Sequence, residues 1–219
     1  MSLFTLLSKY LDVNFKGIKL HQPLFFKEVP GLRFDLQDSS FETRRSLNFE
    51  EVVNRMDRIH QATSSENDSV ILLYQKYCYK RNKIRSGNYL FKQFQKDTAI
   101  IQYRRKKRSV TDQNGDFNRP SDGSCQVVIK DIAANINFHN LFLATSHMDF
   151  GVKPLIYPRD GELYIINTTR NTITLMYDDR GCDLISYDLD LLKNYYFELS
   201  DLILEANRPQ IIERLVIGN

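Results

Sequence analysis

The stretch GELYIINTTRNTITLMYDDRGCDLISYD, Gly161 to Asp188, decides the fold. Its three β-prone runs, ELYIIN, TITLMYD and CDLISYD, are separated only by TTRN and DRG, and connections this short join antiparallel neighbours. The reading is a three-stranded meander near the carboxyl end. In YDDRGCD, Asp178 and Gly181 occupy the first and fourth places of a type I turn, where an aspartate side chain holds the turn and a glycine accepts a positive φ.

Toward the carboxyl end, a helix runs from about Asp190, capped by Asp188 or Asp190. Leu192, Tyr195, Tyr196, Leu199, Leu202 and Ile203 share one of its faces, and Pro209 starts a shorter helix. Upstream, Asn137 caps a helix carrying Phe138, Leu141, Phe142 and Met148, which Gly151 ends. AIIQYRR and CQVVIKDIAANI read as two strands of a long hairpin. The turn formers SVTDQNGDFNRPSDGS between them, residues 109–124, predict a mobile connector. KIRSGNYLFKQFQKD fits either a short helix or a loop. VILLYQKYCY is a strand, apolar on both faces in its first half and therefore central in the sheet. Asn48 and Glu51 resemble a capping box at the head of a helix through Val52, Val53, Met56 and Ile59. PLFFKEVPGLRFDLQ reads as a strand, a tight turn at Pro30-Gly31 and a second strand. At the amino end, Leu3, Leu6, Leu7, Tyr10 and Leu11 form a helical stripe. The order predicts an α+β fold: a largely antiparallel sheet with a carboxyl-terminal three-strand meander, flanked by amphipathic helices, in a single domain over 1–219.

The composition, 42% hydrophobic and 26% charged, is that of a folded globule. Three widely spaced cysteines, Cys78, Cys125 and Cys182, form no C-x-x-C pair, so neither a disulfide framework nor a zinc knuckle is indicated, and a reducing cytoplasm is the expected home. The amino-terminal apolar run lacks a basic leader and a cleavage site, and no window has the length of a membrane span. A membrane is therefore not an expected partner.

Charge is unevenly placed. From Lys76 to Arg108 there are twelve lysines and arginines against Asp97 alone, a local excess of eleven, which leaves the rest of this +3 chain at −8. Lys80, Arg81, Lys83, Arg85, Arg104, Arg105, Lys106, Lys107 and Arg108 are the candidate surface for nucleic acid or an acidic partner. Tyr74, Tyr77, Tyr79, Tyr89, Phe91, Phe94 and Tyr103 are interleaved with them, and cations among aromatic platforms hold single-stranded nucleic acid. The same pattern arises when the aromatics face a core and the cations face water, because a strand separates alternate residues.

Asp178, Asp179, Arg180 and Asp183 form the second candidate site. Clustered carboxylates bind hard cations or perform acid–base work. Arg180 inside the cluster repels a cation, however, and pairs naturally with Asp179 or Asp183. His21, His60, His139 and His147 lack metal-ligand spacing, and neither a nucleophile elbow nor a glycine-rich phosphate loop is present. No metal, cofactor or catalytic residue is expected.

MYDDRGCDLIS resembles the hallmark of an uncharacterised bacterial family, the domain-of-unknown-function family 3885. GLRFDL, FEEVVNRMDRIHQ, DFGVKPLIY and ILEANRPQII agree with it in order, so the resemblance spans nearly the whole chain. It implies a fold and a bacterial origin and brings no activity. The expected function is a non-enzymatic binding module with a protein partner, immunity-like by analogy. The alternatives are single-stranded nucleic-acid binding through residues 74–108 and an enzyme built on the aspartate cluster.

Overall fold

The computed structural model describes residues 1–37, 48–77, 84, 87–95, 97–107, 123–156 and 161–216, with backbone alone at 77, 106, 107 and 123. Five helices are present among them: α1 (Leu3–Asn14), α2 (Phe49–Thr63), α3 (Phe138–Ser146), α4 (Leu189–Glu198) and α5 (Arg208–Val216). Seven strands form one sheet: β1 (Gly31–Asp35), β2 (Ser69–Tyr77), β3 (Ile100–Lys107), β4 (Gly123–Ile132), β5 (Gly161–Asn167), β6 (Thr172–Met176) and β7 (Gly181–Ile185). Their order across the sheet is β1-β7-β6-β5-β2-β4-β3, and the described pairings are all antiparallel. The fold is α+β.

The expected meander is β5-β6-β7, and β3-β4 is the expected hairpin. Strand β2 lies between β4 and β5, and its two apolar faces serve two cores. Val70, Leu72 and Tyr74 pack with α2 to α5, where Met56, Ile59, Leu141, Leu192 and Ile211 are buried. Ile71 and Leu73 face the opposite way, toward Leu3, Leu7 and Leu11 of α1. Truncating such side chains costs about 2–5 kcal/mol each, so the two-sided burial of β2 anchors the sheet between layers. The helix caps follow the sequence: Ser2, Asn48, Asn137 and Asp188 each accept a backbone N–H from the first turn.

Several expectations change. Pro23 to Val29 forms no strand. Its Leu24 and Phe25 N–H groups instead donate to the Asp183 carboxylate, each at 3.0 Å, so a buried side chain rather than a neighbouring strand satisfies them. Pro30-Gly31 is therefore not a hairpin turn. Gly31 opens β1 opposite Ile185, where a Cβ would stand 2.7 Å from the Leu184 carbonyl oxygen. Strand β4 stops at Ile132, and Ala133–Asn135 turn as a short 3-10 segment held by Ala133 N–H on Asp68 O at 2.9 Å. Of the segment that fits helix or loop, Tyr89–Lys92 is a 3-10 turn. The proposed connector lies outside the described residues except for Gly123 and Ser124, which already belong to β4.

The two edges of the sheet differ. At β1, Phe34 bridges to Ile203 and Leu204 N–H donates to Arg33 O at 2.9 Å, so a carboxyl-terminal segment covers that edge. At the other edge, β3 pairs with β4 alone among the described residues.

Candidate functional site

The β6-β7 turn is built by its aspartates. Asp178 Oδ1 accepts the Arg180 N–H at 2.8 Å, and Tyr177 N–H donates to Gly181 O at 3.2 Å. Gly181 does not adopt a positive φ, contrary to the turn reading. It is needed for space: a Cβ there would overlap the Tyr177 hydroxyl and stand 2.6 Å from Phe34 O.

The three carboxylates of the cluster serve different partners. Asp178 takes the Arg180 guanidinium, with Nε 2.8 Å from Oδ2, so Arg180 pairs with neither Asp179 nor Asp183. This pairing raises the Arg180 pKa. Asp179 accepts from Gln37 Nε2 at 2.5 Å; burial, then the charge of Asp178, pushes its pKa up. Asp183 is 0% exposed and accepts four donors: Arg33 Nε at 2.8 Å, Arg33 Nη2 at 3.2 Å, and the Leu24 and Phe25 N–H groups. Phe25, Phe26 and Tyr177 surround the Arg33 guanidinium with ring centroids 4.7–5.6 Å away. Burial opposes the charge of Arg33, yet its bonds to Asp183 raise its pKa overall. The arrangement is a clamp that fastens β1 and the Leu24–Phe25 segment to β7. No group of three or more His, Cys, Asp or Glu among the described residues is placed to hold a metal ion.

Of the cationic candidates, Lys80, Arg81, Lys83, Arg85 and Arg108 lie outside the described residues. The backbones of Lys106 and Lys107 lie in β3, and Arg104 and Arg105 are exposed on it. The aromatics divide. Tyr74 is in the core, while Tyr89, Phe91 and Phe94 pack against it. Tyr103 is 54% exposed and touches Phe91, with ring centroids 5.7 Å apart. Tyr103 and Arg105 oppose Val127 and Cys125, two residues apart on one face, so the strand does present an aromatic and a cation together there.

Sequence reasoning missed a row of polar residues on the α1 side of the sheet. Arg104, Gln126, Gln75 and Glu162 stand directly opposite one another on β3, β4, β2 and β5. Arg104 Nε donates to Gln126 Oε1 at 2.8 Å, Gln126 Nε2 donates to Gln75 Oε1 at 3.0 Å, and Gln75 Nε2 donates to Glu162. Tyr164 also donates to Glu162, at 2.6 Å. The visible signal was polar Gln75 and Glu162 beside the apolar runs VILLY and LYIIN.

A cleft of about 660 Å³ opens between the end of α2, the Tyr89–Gln95 segment and the start of α3. His60 lines it beneath Phe138, with ring centroids 4.0 Å apart, and burial lowers its pKa to about 4. His139 pairs with Asp57 at the rim, Nδ1 to Oδ2 2.6 Å.

No helix among the described residues is long and apolar enough to cross a membrane. A family model described as a domain of unknown function (DUF3885) matches residues 7–207. The uncharacterized protein YnaE of Bacillus subtilis (strain 168) is 32% identical over 71 residues, 30% of this chain. The match spans about a third of that relative, 32% of its length. No solved structure matches.

Proposed function

This chain belongs to the DUF3885 family, whose description assigns no activity, and we propose that it is a non-enzymatic binding protein that docks an acidic, extended segment of a partner protein along β3. The observation that carries this reading is the open cationic edge: β3 pairs on one side only among the described residues, and its sequence ends in Arg104, Arg105, Lys106 and Lys107. Main-chain groups at an unpaired edge bond an added strand, while side chains select it. Like charges directly opposite one another are destabilising, so this edge disfavours pairing with a second copy and favours a strand of opposite sign. Three widely spaced cysteines with no C-x-x-C pair suit a reducing bacterial cytoplasm.

Packing of Tyr74, Tyr89, Phe91 and Phe94 in or against the core leaves Tyr103 as the exposed candidate ring among the described side chains, which favours protein over single-stranded nucleic acid. Fluorescence anisotropy with a labelled peptide alternating Glu and Thr tests the reading. Binding at low salt that weakens as salt rises is expected. Absence of binding, or binding of an oligodeoxynucleotide alone, contradicts it.

A further inference from the structure

Arg33, Arg55, Arg58, Arg170, Arg180 and Arg208 each reach a carboxylate within the chain. Arg104 does not. Its Nε is taken by the neutral Gln126 carbonyl, its guanidinium lies 4.1 Å from the Phe4 ring centroid, and its Nη1 and Nη2 have no acceptor among the described residues. Partial burial lowers its pKa, as desolvation does for a cation.

The polar row explains how this comes about. Glu162 as a carboxylate only accepts, so the Gln75 amide nitrogen turns toward it and the Gln75 oxygen faces Gln126. Gln126 must then give its nitrogen to Gln75 and its oxygen to Arg104. The row anchors the inner nitrogen of Arg104 and leaves the outer fork without an acceptor among the described residues. A guanidinium fixed by a hydrogen bond and an aromatic face loses less rotamer freedom on binding, and its planar fork matches a carboxylate.

We propose that Arg104 is the residue that reads the partner, its Nη1–Nη2 fork taking a side-chain carboxylate of the acidic segment added at β3. This rests on the docking reading above. A strand added at the open edge places one residue directly opposite Arg104 on the α1 face, within cross-strand reach.

The test compares Arg104→Lys with Arg58→Lys, a control on α2 outside the docking edge, in the same full chain, using the Glu-Thr peptide, a Gln-Thr peptide and an oligodeoxynucleotide as probes. Both variants keep every charge, and thermal melts confirm that they fold. Arg104→Lys is expected to weaken Glu-Thr binding about tenfold at unchanged salt dependence, with Arg58→Lys within about twofold of the parent. Equal binding by parent and Arg104→Lys overturns the assignment and leaves the docking edge standing. No Glu-Thr binding by the parent overturns both. A loss that appears equally with the Gln-Thr peptide overturns carboxylate reading, and a loss confined to the oligodeoxynucleotide places phosphate, not carboxylate, at the fork.

Discussion

Arg33 on β1 and Asp183 on β7 stand directly opposite each other in the sheet although 150 residues separate them in sequence, with Nε 2.8 Å from Oδ1. The same carboxylate receives the Leu24 and Phe25 N–H groups, so one buried charge organises a strand pair and the segment before it. Removing one partner of a buried pair leaves the other charge uncompensated, at about 3–5 kcal/mol. Asp183→Asn is expected to lose stability on that scale in urea unfolding. A loss below about 1 kcal/mol contradicts the clamp.

At Gly181 the prediction separates space from backbone conformation. A Cβ meets Phe34 O and the Tyr177 hydroxyl, so even Gly181→Ala is expected to destabilise by about 1–3 kcal/mol. Because the Tyr177 hydroxyl is the movable obstacle, Tyr177→Phe combined with Gly181→Ala recovers part of the loss, read as a rise in Tm over the single Gly181→Ala variant. No recovery assigns the cost to the Phe34 backbone alone.

His60 sets a pH dependence. Burial, against smaller opposing effects of Asp57 and Asp68, lowers its pKa from 6.5 to about 4. The unfolded ring therefore binds a proton across that window while the folded ring stays neutral. Stability is full above the unfolded value and falls as pH drops toward 4, by roughly 3 kcal/mol from this group. Urea midpoints measured from pH 7.5 to pH 4.5 should fall less steeply in His60→Gln than in the parent. Parallel slopes contradict the assignment.

The polar row is expected to behave as one unit. Gln75→Leu removes the acceptor of the buried Gln126 amide nitrogen and one of the donors to the Glu162 carboxylate, at a cost of about 1–3 kcal/mol. Gln75→Leu with Gln126→Leu should cost less than the sum of the two singles, by about 1 kcal/mol in a double-mutant cycle. Additive losses show the two amides to be independent.

How much was legible in the sequence varies with the range of the interaction. The β5-β6-β7 meander was legible because its connections are too short for anything but antiparallel neighbours, and the helix caps because each acts within its own first turn. The segment from Pro23 to Val29 misled because its hydrophobic residues look strand-like. Its backbone bonds go to Asp183, a partner supplied by distant folding. Gly181 was legible as a position that needs glycine, but for a mistaken reason: it opens β7, and its crowding by Phe34 depends on the β1-β7 pairing. The cationic run was visible as composition. The anchoring of Arg104 by its inner nitrogen was not, because it depends on the register that aligns Gln126, Gln75 and Glu162 across three strands.

The most direct measurement of the docking claim is an amide chemical-shift map of the full chain titrated with the Glu-Thr peptide at low salt. The account predicts that the largest changes fall on β3, at Tyr103, Arg104 and Arg105 and at the neighbouring amino end of α1, and fade as salt is added. Changes centred instead on the His60 cleft or on the Asp178–Gly181 turn, with β3 unmoved, would contradict it.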